Sequence, residues 1–466
     1  MKQRFLAGVI LLATGLMSAA AVPSAIAIKD AHVVTVSGAD LPKATVLLRD
    51  GLIQDVGPNL AIPADAWVID GTGLTVYPGF IDALSTWGIP GAAATPARTA
   101  AGVAPTPTPP PAPATPAPAP STPEETPRHG PEDRPQNHSF ERAADMVTPN
   151  DQRLAAARAA GFTTAATFPN QGIFEGLGAM IDLAGERGRD MVVAQPVGQQ
   201  ILFRVSGFGR SGFPNSLMGN IAYVRQLFLD LDQYKAAQQI YGSHAAGNRR
   251  PEYDHDLEGL AESPRLLLPA DEEQQIDRIL GFGRELNRPF VLYGLHEAYK
   301  RVEELKQAKA PALISLKWPE KPKDADPSEI PDYRELLMRQ RAPAVPGMLA
   351  KAGVAFAFYS DGVDTAPDLK KALKKAVDAG LSRADAIRAL TLSAAQIYGL
   401  SDRLGSIEKG KIANLTIMRG DAFEDKTTVE YVFVDGTEFE PSKEMQKPPA
   451  NKEGGSKPNP AEGEAN

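Results

Sequence analysis

The run Tyr77-Pro78-Gly79-Phe80-Ile81-Asp82-Ala83-Leu84-Ser85-Thr86-Trp87-Gly88 opens the long middle of this chain. Successive side chains of a strand alternate faces, so Leu84 and Thr86, two apart, are expected on the same one. At the end of a barrel strand that face looks into the mouth. Leucine carries no lone pair and a threonine hydroxyl is a poor metal donor, so the plainest reading of both residues is barrel filling.

Working outward, the middle alternates apolar strands with amphipathic helices. Expected strands are Thr163 to Phe168, Met191 to Ala194, Leu266 to Leu268, Phe290 to Tyr293, Ala312 to Leu316 and Val354 to Tyr359. Glu272 to Leu286 reads as a helix between two of them, and Ser382-Arg383-Ala384-Asp385 as a helix-starting capping box. A doubly wound open sheet would give similar alternation, so periodicity alone leaves the topology open.

The two ends use a different grammar. Val33-Val34-Thr35-Val36 and Val46-Leu47-Leu48 are β-rich, and Asp50-Gly51 is a strong hairpin signal. The pattern returns in Leu415-Thr416-Ile417-Met418 and in Val429 to Val434, which ends at Asp435-Gly436. Residues 25–76 and 401–440 are therefore expected to form one small composite β-sandwich around a middle at 77–400.

Three segments stand apart. Lys2 and Arg4, the apolar run Leu6 to Met17 and the small residues Ser18 to Ala21 read as a secretory signal over 1–21. The apolar run is short of the ~20 residues a membrane span needs, so export to the periplasm or beyond is expected, with no membrane contact after cleavage. Gly91 to Asn137 is dominated by Pro, Ala and Thr and has too little apolar surface to order itself; the tail, 441–466, is similarly polar.

The sequence has 466 residues, 43% of them hydrophobic, which allows a large core and more than one domain. Its net charge of -8 gives no reason to expect nucleic acid as a partner. It contains no cysteine, which excludes disulfides, thiolate metal sites and a cysteine nucleophile. No G-x-S-x-G elbow, Walker loop or dinucleotide fingerprint is present.

The opening run resembles the first barrel strand of the amidohydrolase superfamily, where P-G-[FL]-I-D-x-H-x-H-x-G carries two metal-binding histidines; Leu84 and Thr86 stand in their places. Ala155 to Thr164, Ser360-Asp361-Gly362, Ala389 to Ala395 and Leu404 to Leu415 are similar to the exported, imidazolonepropionase-like branch. That branch usually ends the last stretch in Ala-Asp-Leu, where this chain has Ala413-Asn414-Leu415. The resemblance implies a (β/α)8 TIM-type barrel and, by descent, metal-assisted hydrolysis of a C–N bond in a cyclic amide or dipeptide-like substrate.

Carried over residue by residue, it places the strand-five metal histidine at Pro269 and the strand-six ligand at Tyr293 or Gly294, with His296 displaced toward the next helix. The strand-four ligand finds no position. Asp361 matches the strand-eight aspartate that binds metal and transfers the proton, and is the candidate catalytic residue; His296 is the candidate alternative site. Leu84, Thr86 and Pro269 are degenerate ligand positions. No metal or other cofactor is expected, and the chain is expected to bind a small-molecule ligand or to accompany an active homologous subunit, in an oligomer or alone. The alternative is an active hydrolase with a relocated zinc or other divalent metal, or a metal-free site, around Asp361 and His296. Asp254-His255-Asp256, with His244, is the densest other cluster and reads as solvated surface; His32, His129 and His138 lie away from any expected mouth.

Overall fold

A computed structural model describes residues 25–92, 134–203, 213–214, 216–321, 330–363, 365–424 and 426–441. The expected signal, most of the Pro-rich insertion (93–133) and the tail beyond residue 441 lie outside the described residues. Residues 134–137 are fastened: Gln136 O accepts the Ile173 amide at 2.7 Å, and Asn137 bridges Phe174.

Five strands come first: β1 (Ala25–Val33), β2 (Leu41–Arg49), β3 (Leu52–Gly57), β4 (Ala66–Asp70) and β5 (Leu74–Pro78). Eight more follow: β6 (Phe80–Ser85), β7 (Phe162–Thr167), β8 (Phe174–Asp182), β9 (Val192–Ile201), β10 (Leu266–Ala270), β11 (Phe290–Gly294), β12 (Ala312–Ser315) and β13 (Phe356–Tyr359). The last three are β14 (Leu415–Arg419), β15 (Thr428–Val434) and β16 (Thr437–Phe439).

Strands from both chain ends share one sheet, ordered β16-β15-β14-β5-β1-β2-β3, with β4 also on β1. Asp50 and Gly51 both take positive φ (50° and 75°), the geometry of a tight hairpin whose twist matches its strands; Asp435 and Gly436 do the same between β15 and β16.

The middle strands form the second sheet, ordered β6 through β13 in sequence order. It is nearly closed. The Asp82 carboxylate of β6 crosses the seam and accepts the Ser360 amide beyond β13 at 3.1 Å. Alternate residues divide into two layers: Leu266, Leu268, Leu292 and Phe358 face the helices, while Ala166, Met180, Leu267, Val291, Leu313 and Ala357 fill the interior. Helix Leu392–Tyr398 packs on that interior cluster, and its Tyr398 hydroxyl donates to Ala83 O at 2.6 Å.

One strand departs from the expected (β/α)8 pattern: β8 runs antiparallel to both β7 and β9. Only residues 168–173 separate β7 from β8, too few for the crossover of a dozen or so residues that a parallel return needs. The strand is also rich in glycine for a packing reason. At Gly178 any Cβ would run into the Phe168 ring.

Candidate functional site

The C-terminal ends of β6, β10, β11, β12 and β13 gather the residues singled out above. Leu84 is fully buried and belongs to the interior cluster with Leu267, Val291 and Tyr359. Thr86 does not share its face. The pairing of β6 with β7 slips between Asp82 and Ser85, so two-residue alternation is lost at the strand's end. Thr86 turns instead to Arg153 at the start of helix Arg153–Ala159, whose Nη1 donates to Thr86 Oγ1 at 2.9 Å.

Arg153 holds the whole strand end. Its Nη2 donates to Thr86 O (2.9 Å), Ile89 O (3.0 Å) and Asp151 Oδ2 (2.7 Å), and that carboxylate also accepts the Gly88 amide at 2.8 Å. Burial works against a charge on Asp151, but the Arg153 hydrogen bonds and the amides of Arg153 and Gly88 outweigh it and hold the pKa below the usual carboxylate range.

At strand five, Pro269 is buried and pairs in register with Tyr293 of β11. The Tyr293 hydroxyl donates to Ile201 O at the end of β9, 3.0 Å away, so this strand-six position spans the barrel rather than facing a pocket.

His296 is 1% exposed. Leu295 before it takes the left-handed φ of 66°, a turn rarely adopted by a leucine, and this folds the chain end of β11 back over β10. There Asp271 Oδ1 accepts both the His296 amide (3.0 Å) and His296 Nδ1 (2.8 Å). With Nδ1–H donating to the carboxylate, the neutral ring keeps its lone pair on Nε2. That atom is buried and makes no hydrogen bond among the described residues, and the ring meets Trp318 edge-on at 6.0 Å.

Asp361 is likewise fully buried and left-handed (φ 52°). Ser315 Oγ at the end of β12 donates to its Oδ2 at 2.5 Å and in turn accepts the Lys317 amide at 3.1 Å. Four neighbouring strands thus present two hydrogen-bonded pairs, Asp271–His296 and Ser315–Asp361. Such strained non-glycine residues cluster where a fold does chemistry or grips a ligand.

The sequence singled out His296 and Asp361, which lie at neighbouring strand ends; it did not single out their partners Asp271 and Ser315, nor Arg153. Asp271 carried a readable signal, an acid just past a short apolar strand. The other two did not.

The remaining histidines lie elsewhere. Asp254 caps helix His255–Glu262 and takes Arg134 at 2.6 Å; His255 sits on the neighbouring Asp256 (3.2 Å) and against Phe140, and His244 is exposed. His138 pairs with Glu141 at 2.9 Å, and His32 lines a cavity beside Tyr77 and Arg383. His129 is outside the described residues. Among the described residues, no group of three or more His, Asp or Glu side chains could hold a metal ion. The mouth does not fit one: Leu84 and Pro269 have no donor, Thr86 is engaged by a cation, and the Tyr293 hydroxyl is spent on Ile201. No helix among the described residues is long and apolar enough to cross a membrane.

Comparison with known proteins points one way. The model of the amidohydrolase family matches residues 293–439. A dihydroorotase from Mycobacterium tuberculosis (strain ATCC 25618 / H37Rv) is 52% identical over 40 residues, a stretch that spans only 9% of this chain and 9% of that protein. The structure of an amidohydrolase from Thermotoga maritima MSB8 superposes with a TM-score of 0.68 at 24% identity, covering 89% of this chain and all of that one. An Xaa-Pro dipeptidase with bound methionine in its active site gives a TM-score of 0.52 at 16% identity, over 90% of this chain and 100% of that one. The fold is therefore that of the amidohydrolase structures, and residues 293–439 carry the amidohydrolase family's sequence pattern.

Proposed function

We propose that the chain is an amidohydrolase of the exported, imidazolonepropionase-like branch, by descent a metal-dependent hydrolase of non-peptide or dipeptide-like C–N bonds. Its composite sheet serves as a small β-sandwich domain, its metal site is lost, and it works outside the cytoplasm by binding a small-molecule ligand or an active homologous subunit. The observation that carries this reading is the fate of Thr86. Where the resemblance calls for a metal-binding imidazole, the hydroxyl accepts a hydrogen bond from Arg153, which holds a fixed positive charge against that position. The hydroxyl is thereby committed to the Arg153–Asp151 pair, and Leu84 and Pro269 supply no donor in its place.

Metal analysis of the purified chain, followed by calorimetric titration with zinc, tests the reading. The expected result is no stoichiometric metal and no tight binding. One tightly held zinc per chain, lost on Asp361→Ala, overturns it.

The second reading, an active hydrolase around Asp361 and His296, rests on the His296 imidazole. Its Nδ1 is fixed by Asp271 and its Nε2 makes no bond among the described residues, the arrangement of a general base or of a ligand to a relocated metal. Assay of Xaa-Pro dipeptides and cyclic amides separates the two. Turnover by the parent chain that disappears in His296→Gln establishes the hydrolase; no turnover leaves the binding role.

A further inference from the structure

Helix Leu217–Ser243 is longer than its support. Its fully buried residues all lie between Asn220 and Leu231; from 232 onward none is, so about 18 Å of helix stands off the barrel. Ile240 on this arm is 55% exposed. A groove of about 430 Å³ runs along the arm between Tyr234, Gln238 and Tyr241 on one side and Arg250, Tyr253 and Glu258 on the other. Tyr253 is 79% exposed.

The groove is built as an aromatic cradle with polar contacts between the rings. Tyr234, Gln238 and Tyr241 sit at i, i+4 and i+7, hence on one helix face. The Tyr234 hydroxyl and Gln238 Nε2 both donate to Glu258 Oε1 (2.8 and 2.9 Å), which fixes that wall. Seven helical residues place the two tyrosines about 10.5 Å apart along the axis. One turn of polyproline helix advances about 9.3 Å, so successive turns of a proline-rich strand can lie on successive rings.

This chain carries such a sequence within residues 93–133. It opens with Pro105-Thr106-Pro107-Thr108-Pro109-Pro110-Pro111 and closes with Pro116-Ala117-Pro118-Ala119-Pro120. What directs it to this groove is where the segment ends. Arg134, the first described residue after it, puts its guanidinium on Asp254 at 2.6 Å and near Asp230 at 3.8 Å. Asp254 adjoins Tyr253 in sequence, and Asp230 lies one turn before Tyr234, so the segment is moored at the foot of the groove. Glu124 and Glu125, between residue 120 and the mooring, are opposite in charge to Arg250 on the groove wall.

We propose that the tyrosine groove at Tyr234, Tyr241 and Tyr253 is a docking site for a proline-rich strand, and that its occupant is residues 105–120 of the same chain. Tethering through the short stretch before Arg134 sets an effective concentration in the millimolar range, so even weak contacts fill the groove.

Hydrogen exchange along 232–243 tests this. The full chain is compared with one in which residues 105–120 are replaced by an equal-length glycine–serine stretch. Replacement is expected to speed exchange about tenfold, the effect of a millimolar tether on a site of ~0.1 mM affinity. A synthetic peptide of residues 105–120, added to the replaced chain, should restore the protection, and Tyr241→Ala should abolish the restoration. Exchange unchanged by the replacement overturns the proposal. So does protection that rises with protein concentration in both chains, which would make a second copy the occupant.

Discussion

The Arg153 guanidinium donates to Thr86 Oγ1 at 2.9 Å, and so the end of the first barrel strand is held by a cation of the protein's own. The same guanidinium binds Thr86 O, Ile89 O and Asp151, largely out of solvent. Arg153→Ala leaves the Asp151 carboxylate without its cation and two carbonyls without this donor, and is expected to cost about 3 kcal/mol in denaturant unfolding. Arg153→Lys should recover only part, because an ammonium cannot reproduce the planar fork. The pH dependence has a definite sign. Asp151 has a depressed pKa, so its contribution is complete above the ordinary aspartate range and is lost as pH falls through the lower, folded-state value. Acid unfolding of Arg153→Ala should begin at higher pH than in the parent chain.

Much of the barrel was legible in advance because buried parallel strands write themselves as short apolar runs: Leu266 to Leu268 and Phe290 to Tyr293 lie within β10 and β11. The antiparallel β8 was not, since its glycines break the apolar signal and Gly178 is there to admit the Phe168 ring, a tertiary requirement. At the site, Asp361 and His296 could be named from position alone. That Thr86 leaves the interior face depends on a slipped register between β6 and β7, which no local pattern records.

Gly178→Ala tests the packing explanation for β8. The added methyl must displace the Phe168 ring from a filled interior, and a cost of about 2 kcal/mol is expected. Pairing it with Phe168→Leu should recover part of that loss in the same unfolding assay.

Asp182 supplies a second pH signature, opposite in sign to that of Asp151. Burial raises its pKa to about 7, against the lowering effect of hydrogen bonds from Asn414 Nδ2 (2.6 Å) and Thr164 Oγ1 (3.2 Å), with the Asp435 carboxylate adding to the rise. The folded chain therefore holds a proton that the unfolded chain has released. Stability from this group is complete below about pH 4 and is lost as pH rises to about 7. Asp182→Asn keeps an acceptor for Asn414 and removes the ionisation. It should melt higher than the parent at pH 8, with the difference vanishing near pH 4. Asn414→Asp, which restores the residue usual in the related signature, places a second acid against Asp182 and should lower the melting temperature most at neutral pH.

The arrangement at Thr86 also bears on what it would take to place three histidine ligands at the strand ends. Histidines at Leu84, Thr86 and Pro269 would supply three imidazoles on paper, and with Asp361 the four donors zinc takes. In this fold, position 86 faces helix Arg153–Ala159 rather than the interior, and Arg153 keeps a positive charge against it. Tyr293 also crosses the interior to Ile201, beside the Pro269 position. The triple substitution alone is therefore expected to gain no tight zinc binding in calorimetry. Adding Arg153→Ala and Tyr293→Ala removes the charge and opens space, and only that combined variant should bind zinc with measurable heat, provided circular dichroism shows it still folded. Stoichiometric binding by the triple variant with Arg153 intact would mean that β6 can re-register at little cost, and that the Arg153–Thr86 contact is not what keeps the metal out.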